Sequence, residues 1–188
     1  MPNTGEITPQ EQTGISSNGN LTLDNDDSTS ASIIDNAADP VNIIFSDFDG
    51  TDPPAGSTIN GVEIKLLTQY SSVFNATKVS AITVSLDGAS GTFSTLSGGF
   101  SGQNLTTSKT DYDFGGDDEL WGLNWSGWTD LSDLAVTISL QQQEGTALSL
   151  TFIYDIDAIV YYTAPIGTFE TKLKSGKLSL KSGKLTIK

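Results

Sequence analysis

Two carboxylates separated by one residue follow an apolar segment in the first third of the chain. Residues 41–46 are predicted to form a β-strand, and Asp47 and Asp49 come directly after it. Carboxylates at positions i and i+2 beside a strand end can share a metal ion and a phosphoryl group. The spacing therefore raises phosphoryl transfer as an enzymatic hypothesis. The alternative is a strand that buries Phe45 and Phe48 and ends in an Asp-Gly turn.

The segment Asp47-x-Asp-Gly-Thr resembles the first motif of the haloacid dehalogenase phosphatases. That resemblance implies a magnesium-dependent enzyme built on a parallel sheet with helical crossovers. Few stretches of this sequence have a helical period, and Asp-Pro-Pro follows Thr51 where the motif continues into a helix. Because a motif outside its fold carries little weight, we expect no enzyme, no catalytic residues and no cofactor.

Acidic side chains concentrate in two further stretches. One is residues 24–27, and the other contains Asp111, Asp113, Asp117, Asp118 and Glu119. Carboxylate oxygens are ligands that calcium prefers, but neither stretch has the glycine and glutamate positions of an EF-hand loop. We expect solvated loops and no metal site.

Three tryptophans, Trp121, Trp125 and Trp128, lie within eight residues of one another. Exposed aromatic ring faces could stack on sugar rings, which makes these residues candidate glycan contacts. Large aromatics in β domains are usually core or interface anchors, so burial is the favoured prediction. A carbohydrate-binding module or adhesin remains the alternative function.

Composition removes several classes of protein from consideration. The 188 residues include no cysteine and no histidine, which excludes disulfides and histidine-based catalytic triads. The net charge of −14 disfavours nucleic acid as a partner. No apolar run approaches the roughly 18 residues of a membrane span. Residues 1–14 are polar without a basic residue, so no secretion signal is expected there.

Short apolar runs recur between turn signals such as Asn-Gly and Asp-Gly. This spacing predicts an all-β fold, an antiparallel β-sandwich. In residues 151–163 the even positions are uncharged, so we expect Phe152, Tyr154 and Ile156 to face the core with the later even positions. The odd positions, which include Asp155 and Asp157, are expected to face solvent.

Three parts are predicted. Residues 1–14 form a flexible arm, 15–165 the sandwich, and 166–188 a basic three-stranded meander in which an LKSGKL unit recurs. The last part has six lysines against one glutamate, a net charge of +5 that leaves −19 for residues 1–165. Its apolar face needs a cover, so we expect interface residues at Leu173, Leu178, Leu180, Leu185 and Ile187, with Lys172, Lys177 and Lys184 opposite.

Three segments together resemble virion proteins of tailed phages. They are the strand entry at 54–64, the segment Tyr-x-Phe-Gly-Gly-x-x-Glu-Leu-Trp-Gly at 112–122, and the strand Tyr-Asp-Ile-Asp-Ala-Ile-Val-Tyr-Tyr-Thr at 154–163. The resemblance covers about residues 14–163 and implies a sandwich of jelly-roll type. It implies a non-enzymatic subunit of the virion, made in the host cytoplasm and released by lysis. The expected role is capsid decoration or cement, with tail or fibre component as an alternative. The expected partners are major capsid or tail subunits and further copies of this chain, a trimer by analogy, with no membrane.

Overall fold

The computed structural model describes residues 2–13, 30–35, 40–86, 89–92, 102–128, 130–142, 148–165, 179–181 and 184–186. Twelve strands are named in these residues: β1 Thr8–Thr13, β2 Ala31–Asp35, β3 Val41–Asp49, β4 Thr58–Tyr70, β5 Thr77–Leu86, β6 Ala89–Thr92, β7 Gln103–Asn104, β8 Thr110–Gly115, β9 Leu134–Gln142, β10 Ser149–Thr163, β11 Ser179–Lys181 and β12 Lys184–Thr186. No helix in the described part of the chain is long and apolar enough to cross a membrane.

β11 and β12 form a separate two-stranded sheet, and the other ten strands form two antiparallel sheets. One has the order β1-β3-β9-β5-β6, with β7 also on β5, and the other has the order β2-β10-β4-β8. When β1, β7 and the hairpin β11-β12 are set aside, the first four strands pair with the last four in reverse order: β2 with β10, β3 with β9, β4 with β8 and β5 with β6. This is the pairing of a jelly roll, in which a long antiparallel ribbon is rolled into two sheets. The predicted sandwich of jelly-roll type is confirmed.

The core lies between the sheets and is built from alternate strand residues. In β9 every second residue from Leu134 to Leu140 is at most 1% exposed, as the alternating pattern predicts. In β5 the buried apolar residues are Val79, Ile82, Val84 and Leu86, and a register shift between Val79 and Ala81 brings Val79 onto the same face as the other three. Alternation without this bulge would place Val79 on the opposite face.

The predicted faces of β10 are correct for only part of the strand. Ile156, Ala158 and Val160 are buried as expected, but before them the buried residues are Thr151 and Ile153, not Phe152 and Tyr154. The cause is a register shift between Ile153 and Asp155 in the pairing with β4. A β-bulge adds one residue to one strand, so the inward and outward positions exchange beyond it.

Residues 2–13, which the sequence predicts as part of a flexible arm, contain backbone that pairs with the sandwich. Asn3 and Ile7 form bridges to β10, and β1 then pairs with β3. Ile7 is 1% exposed. Composition made this segment look like an arm because only one of its side chains is apolar, whereas backbone hydrogen bonds hold most of it.

The basic C-terminal part is described only in its last hairpin. β11 and β12 form a separate two-stranded sheet in which Leu180 pairs with Leu185 and Lys181 with Lys184. The Leu180–Leu185 pairing is the predicted register. Leu173, Leu178, Ile187, Lys172 and Lys177 lie outside the described residues, as do residues 24–27, so the three-stranded meander stays a prediction.

Candidate ligand-binding groove at the tryptophan loop

The connection between β8 and β9, residues 116–133, carries all three tryptophans. Trp121 lies in the left-handed region at φ 55°, which a bulky residue seldom adopts. Two hydrogen bonds hold it there: its backbone N–H donates to Glu119 Oε1 at 2.6 Å, and its indole Nε1–H donates to Val62 O at 2.9 Å. The bond to Val62 anchors the loop to β4, and both bonds offset the local strain.

The tryptophan rings are buried, as large aromatics in a β domain usually are. Trp121, Trp125 and Trp128 are 2%, 5% and 7% exposed. Trp125 Nε1–H donates to Leu120 O at 2.9 Å, and the rings of Trp125 and Trp128 meet edge to face at 5.0 Å. The three rings therefore do not form the exposed row of stacking surfaces that a flat glycan platform requires.

Trp125 nevertheless lines a groove of about 450 Å³ at this end of the sandwich. Residues 56–59 form one wall, and Leu120 with residues 123–127 forms the other. Trp121 and Trp128 are not among the residues that line it. The loop that carries the predicted tryptophans therefore borders this groove, and its fold brings only Trp125 to the lining.

Every residue that lines this groove is uncharged, in a chain with a net charge of −14. Leu120, which is 39% exposed, and Trp125 supply apolar surface. Asn124 and Ser126 are exposed polar residues on the same wall, where Ser126 N–H donates to Asn124 Oδ1 at 3.0 Å. Small ligand sites combine apolar surface with a few polar groups in this way.

Two buried polar groups at this end of the sandwich lack a hydrogen-bond partner among the described residues. They are the Ser57 hydroxyl and the Trp128 indole N–H, and both residues are 7% exposed. Ser57 lines the groove. An unpaired buried polar group costs free energy, so a ligand hydroxyl that paired with Ser57 would recover that cost.

A second concavity, of about 510 Å³, lies on the outer face of the β2-β10-β4-β8 sheet. It is lined by four carboxylates, two lysines and a leucine: Glu6, Asp111, Asp155, Asp157, Lys65, Lys109 and Leu67. Strand register places Lys65 directly between Asp157 on β10 and Asp113 on β8. Lys65 Nζ forms an ion pair with Glu6 at 2.5 Å, and this hydrogen bond raises the pKa of Lys65.

The bulge in β10 shapes this outer cleft. It places Tyr154 and Asp155, which are neighbours in sequence, on the same side of the sheet. Tyr154 OH accepts a hydrogen bond from Gln69 Nε2 at 2.7 Å, and Lys109 Nζ lies 4.5 Å from its ring centroid. The ammonium over the ring face is a cation–π contact that already occupies one face of this aromatic.

Asp157 is the most deeply buried carboxylate of the cleft, at 5% exposure. Burial first, and then the charge of Asp155, raise the pKa of Asp157 to about 6. The hydrogen bond that Asp157 Oδ1 accepts from Thr8 Oγ1, at 2.9 Å, opposes that shift. On the same face, Tyr161 OH donates to Glu63 Oε2 at 2.6 Å, which raises the pKa of Tyr161 to about 12.

The sequence motif with two aspartates lies on an antiparallel strand, whereas the phosphatase resemblance implies a parallel sheet. Asp47 and Asp49 are exposed near the end of β3, and both neighbours of that strand are antiparallel. No group of three histidine, cysteine or acidic side chains in the described residues is arranged to hold a metal ion. Thr51 leads into a turn at residues 54–57, where Ser57 N–H donates to Pro54 O at 2.9 Å.

Comparisons with known proteins add little to this geometry. No family model matches the chain, and no curated protein matches it. A solved structure titled "CBM4 structure and function" matches with a TM-score of 0.41 and 14% sequence identity, and the match covers 82% of this chain and 94% of that one. A likeness this distant carries no argument about the ligand of this chain.

Proposed function

We propose that this chain is a non-enzymatic binding module whose ligand is a neutral carbohydrate, held in the groove between residues 56–59 and 120–127. The observation that carries the proposal is the uncharged lining of the groove on a strongly acidic protein. An acidic surface repels anions and attracts cations. A groove without charged groups has no electrostatic preference of its own, so it suits a neutral ligand.

The chemistry of the groove walls matches the two kinds of surface on a sugar ring. Leu120 and the accessible edge of Trp125 can contact the C–H groups of the ring. The exposed polar side chains of Asn124 and Ser126 can exchange hydrogen bonds with sugar hydroxyls, and the buried Ser57 hydroxyl would join them if the ligand displaced the atoms that cover it. Weak binding of one short glycan segment is expected, since the site is small and open.

The test is a titration of neutral oligosaccharides into the full chain, with binding measured by calorimetry and by tryptophan fluorescence. Leu120→Ala should weaken binding by about fivefold, because burial of the exposed part of a leucine contributes about 1 kcal/mol. Val73→Ala is the matched control, since Val73 is an 83% exposed aliphatic residue outside the groove. Absence of binding across neutral glycans, or equal losses in both variants, would contradict the proposal.

Ser57→Ala separates binding from stability. Removal of a buried hydroxyl without a partner should leave the melting temperature unchanged or raise it. If a sugar hydroxyl pairs with Ser57, the same change should weaken glycan binding severalfold. A variant that melts lower and binds normally would show that Ser57 has only a structural role.

A structural role in a tailed-phage virion is a second proposed function. The observation in its favour is that β11 and β12 form a sheet separate from both sheets of the sandwich, in the most basic part of the sequence. A basic attachment element on an acidic body favours salt-sensitive contacts with neighbouring subunits. Deletion of residues 167–188 should reduce incorporation into particles, and normal incorporation would refute attachment through this segment.

A further inference from the structure

The N-terminal segment adds to both sheets. In one sheet it lies beside the part of β10 that β2 does not cover, and in the other it lies beside β3. Its first part pairs with β10: Tyr162 N–H donates to Pro2 O at 3.0 Å and Thr4 N–H to Val160 O at 3.1 Å, while Ile7 and Ala158 exchange two bonds of 2.9 Å. Its second part, β1, then pairs antiparallel with β3 from Thr8 to Thr13. The segment thus lies along β10 and then along β3, and the space that it occupies is called the groove between β3 and β10.

One apolar side chain anchors this strand in the groove. Ile7 is 1% exposed, whereas its neighbours Glu6 and Thr8 are polar and less buried. Gly50, at the end of β3, makes room for it, since a methyl group at Gly50 would overlap the Ile7 side chain and approach Leu131. The groove therefore contains a socket shaped for a branched aliphatic side chain.

Polar contacts on either side of Ile7 determine the register of the strand. Val160 N–H donates to Thr4 Oγ1 at 3.1 Å, and Thr8 Oγ1 donates to Asp157 at 2.9 Å. Glu6 completes the set through its ion pair with Lys65. A strand that slipped by one residue would lose these contacts and would expose Ile7, so the groove recognises this sequence specifically.

The covalent link between this strand and the rest of the fold is long. Residues 14–30 separate β1 from β2, and a chain of that length can span up to roughly 55–60 Å. A domain of this size has a radius of gyration of about 16 Å. The strand can therefore reach the same groove on an adjacent molecule, where it would make identical contacts.

We propose that the groove between β3 and β10 is a strand-acceptor site for residues 2–13 of a second copy of this chain. Exchange between two copies gives a closed dimer, and serial exchange links copies into a chain. The contacts made within and between copies are the same, so local protein concentration decides which form dominates. This link between subunits does not depend on carbohydrate binding.

Since the chain has no cysteine of its own, disulfide trapping can test the proposal on the full-length protein. Glu11 and Ser46 are directly paired between β1 and β3. Opposite residues of antiparallel strands lie about 4.5–5.5 Å apart at Cα, a separation that a disulfide spans. One preparation carries Glu11→Cys and the other Ser46→Cys, and the two are mixed at high concentration before mild oxidation.

Strand exchange predicts a disulfide-linked heterodimer in this mixture. Two controls should lose it: a Val73→Cys acceptor, which presents an exposed cysteine away from the groove, and a Glu11→Cys donor that also carries Ile7→Asp. The double variant Glu11→Cys/Ser46→Cys at low concentration reports whether the pair can close within one copy. The proposal would be overturned if the double variant forms its internal disulfide efficiently and the mixture of Glu11→Cys with Ser46→Cys yields no more heterodimer than the mixture with the Val73→Cys acceptor.

Discussion

Replacement of Asp157 by asparagine should stabilise the protein at neutral pH. Asp157 lies on β10 beneath the N-terminal strand, is 5% exposed and has Asp155 as a neighbouring charge. The native environment raises its pKa from 3.8 to about 6, so the ionised form is disfavoured there. Asparagine removes the charge and keeps an oxygen that can accept the hydrogen bond from Thr8.

The size of the effect follows from the pKa shift. A shift of roughly two units corresponds to about 3 kcal/mol at about 1.4 kcal/mol per unit. Solvent screening at the open cleft reduces this to about 1–2 kcal/mol. For a protein of this length that range corresponds to an increase in Tm of roughly 2–8 °C.

The stabilisation has a defined dependence on pH. Below pH 3.8 Asp157 is protonated in both the folded and the unfolded chain, so its ionisation costs nothing. Between pH 3.8 and about 6 the folded protein keeps a proton that the unfolded chain releases, so wild-type stability falls as the pH rises. The advantage of Asp157→Asn should therefore grow through this window and level off above about pH 6.

Thermal unfolding followed by circular dichroism at several pH values from 4.5 to 8 measures this difference. Asp113→Asn is a suitable control, because Asp113 is an exposed carboxylate directly opposite Lys65 on the same sheet. It should change Tm little, and the difference in Tm between this variant and the wild type should not grow between acid and neutral pH. A constant advantage of Asp157→Asn at every pH, or a lower Tm at pH 7.5, would refute the reasoning.

Three further substitutions test the packing. Gly61→Ala would place a methyl group inside the backbone of residues 116–118, so chemical denaturation should show a loss of at least about 1–3 kcal/mol and a disturbed tryptophan loop. Ile7→Ala should cost about 2–5 kcal/mol if the N-terminal strand is part of the core, whereas a change below about 0.5 kcal/mol would mean that the strand contributes little. Thr68→Val should cost about 1 kcal/mol, because the buried Thr68 hydroxyl donates to Phe152 O at 2.7 Å. Equal stability of Thr68→Val and the wild type would argue against that bond.

The sequence predicted the regular parts of the fold well. The alternation in β9 is uninterrupted from Leu134 to Leu140, and each of its large apolar residues is buried. The short turn before it is local as well: Asp130 caps the 3-10 helix Leu131–Asp133 by accepting from Ser132 N–H at 3.0 Å. Such features depend on neighbours within a few residues, so a single sequence contains the information for them.

The candidate site was predicted only as a stretch of the chain. Residue types favoured burial of the three tryptophans, and all three are buried. The presence of Trp125 alone in the groove depends on the left-handed conformation of Trp121 and on residues 56–59, which come from a distant part of the chain. No local pattern reports that the walls of this groove are free of charge.

By itself, the sequence determined the all-β class, the antiparallel sandwich and the exclusion of histidine and cysteine chemistry, because composition and two-residue periodicity are local properties. Tertiary structure decided which side of β10 faces the core, since the bulge after Ile153 follows from pairing with β4. It also decided that the N-terminal segment is a strand, through a pairing of Ile7 with Ala158 that joins opposite ends of the sandwich sequence. Both outcomes depend on backbone hydrogen bonds between distant segments, and a side-chain pattern does not encode these directly.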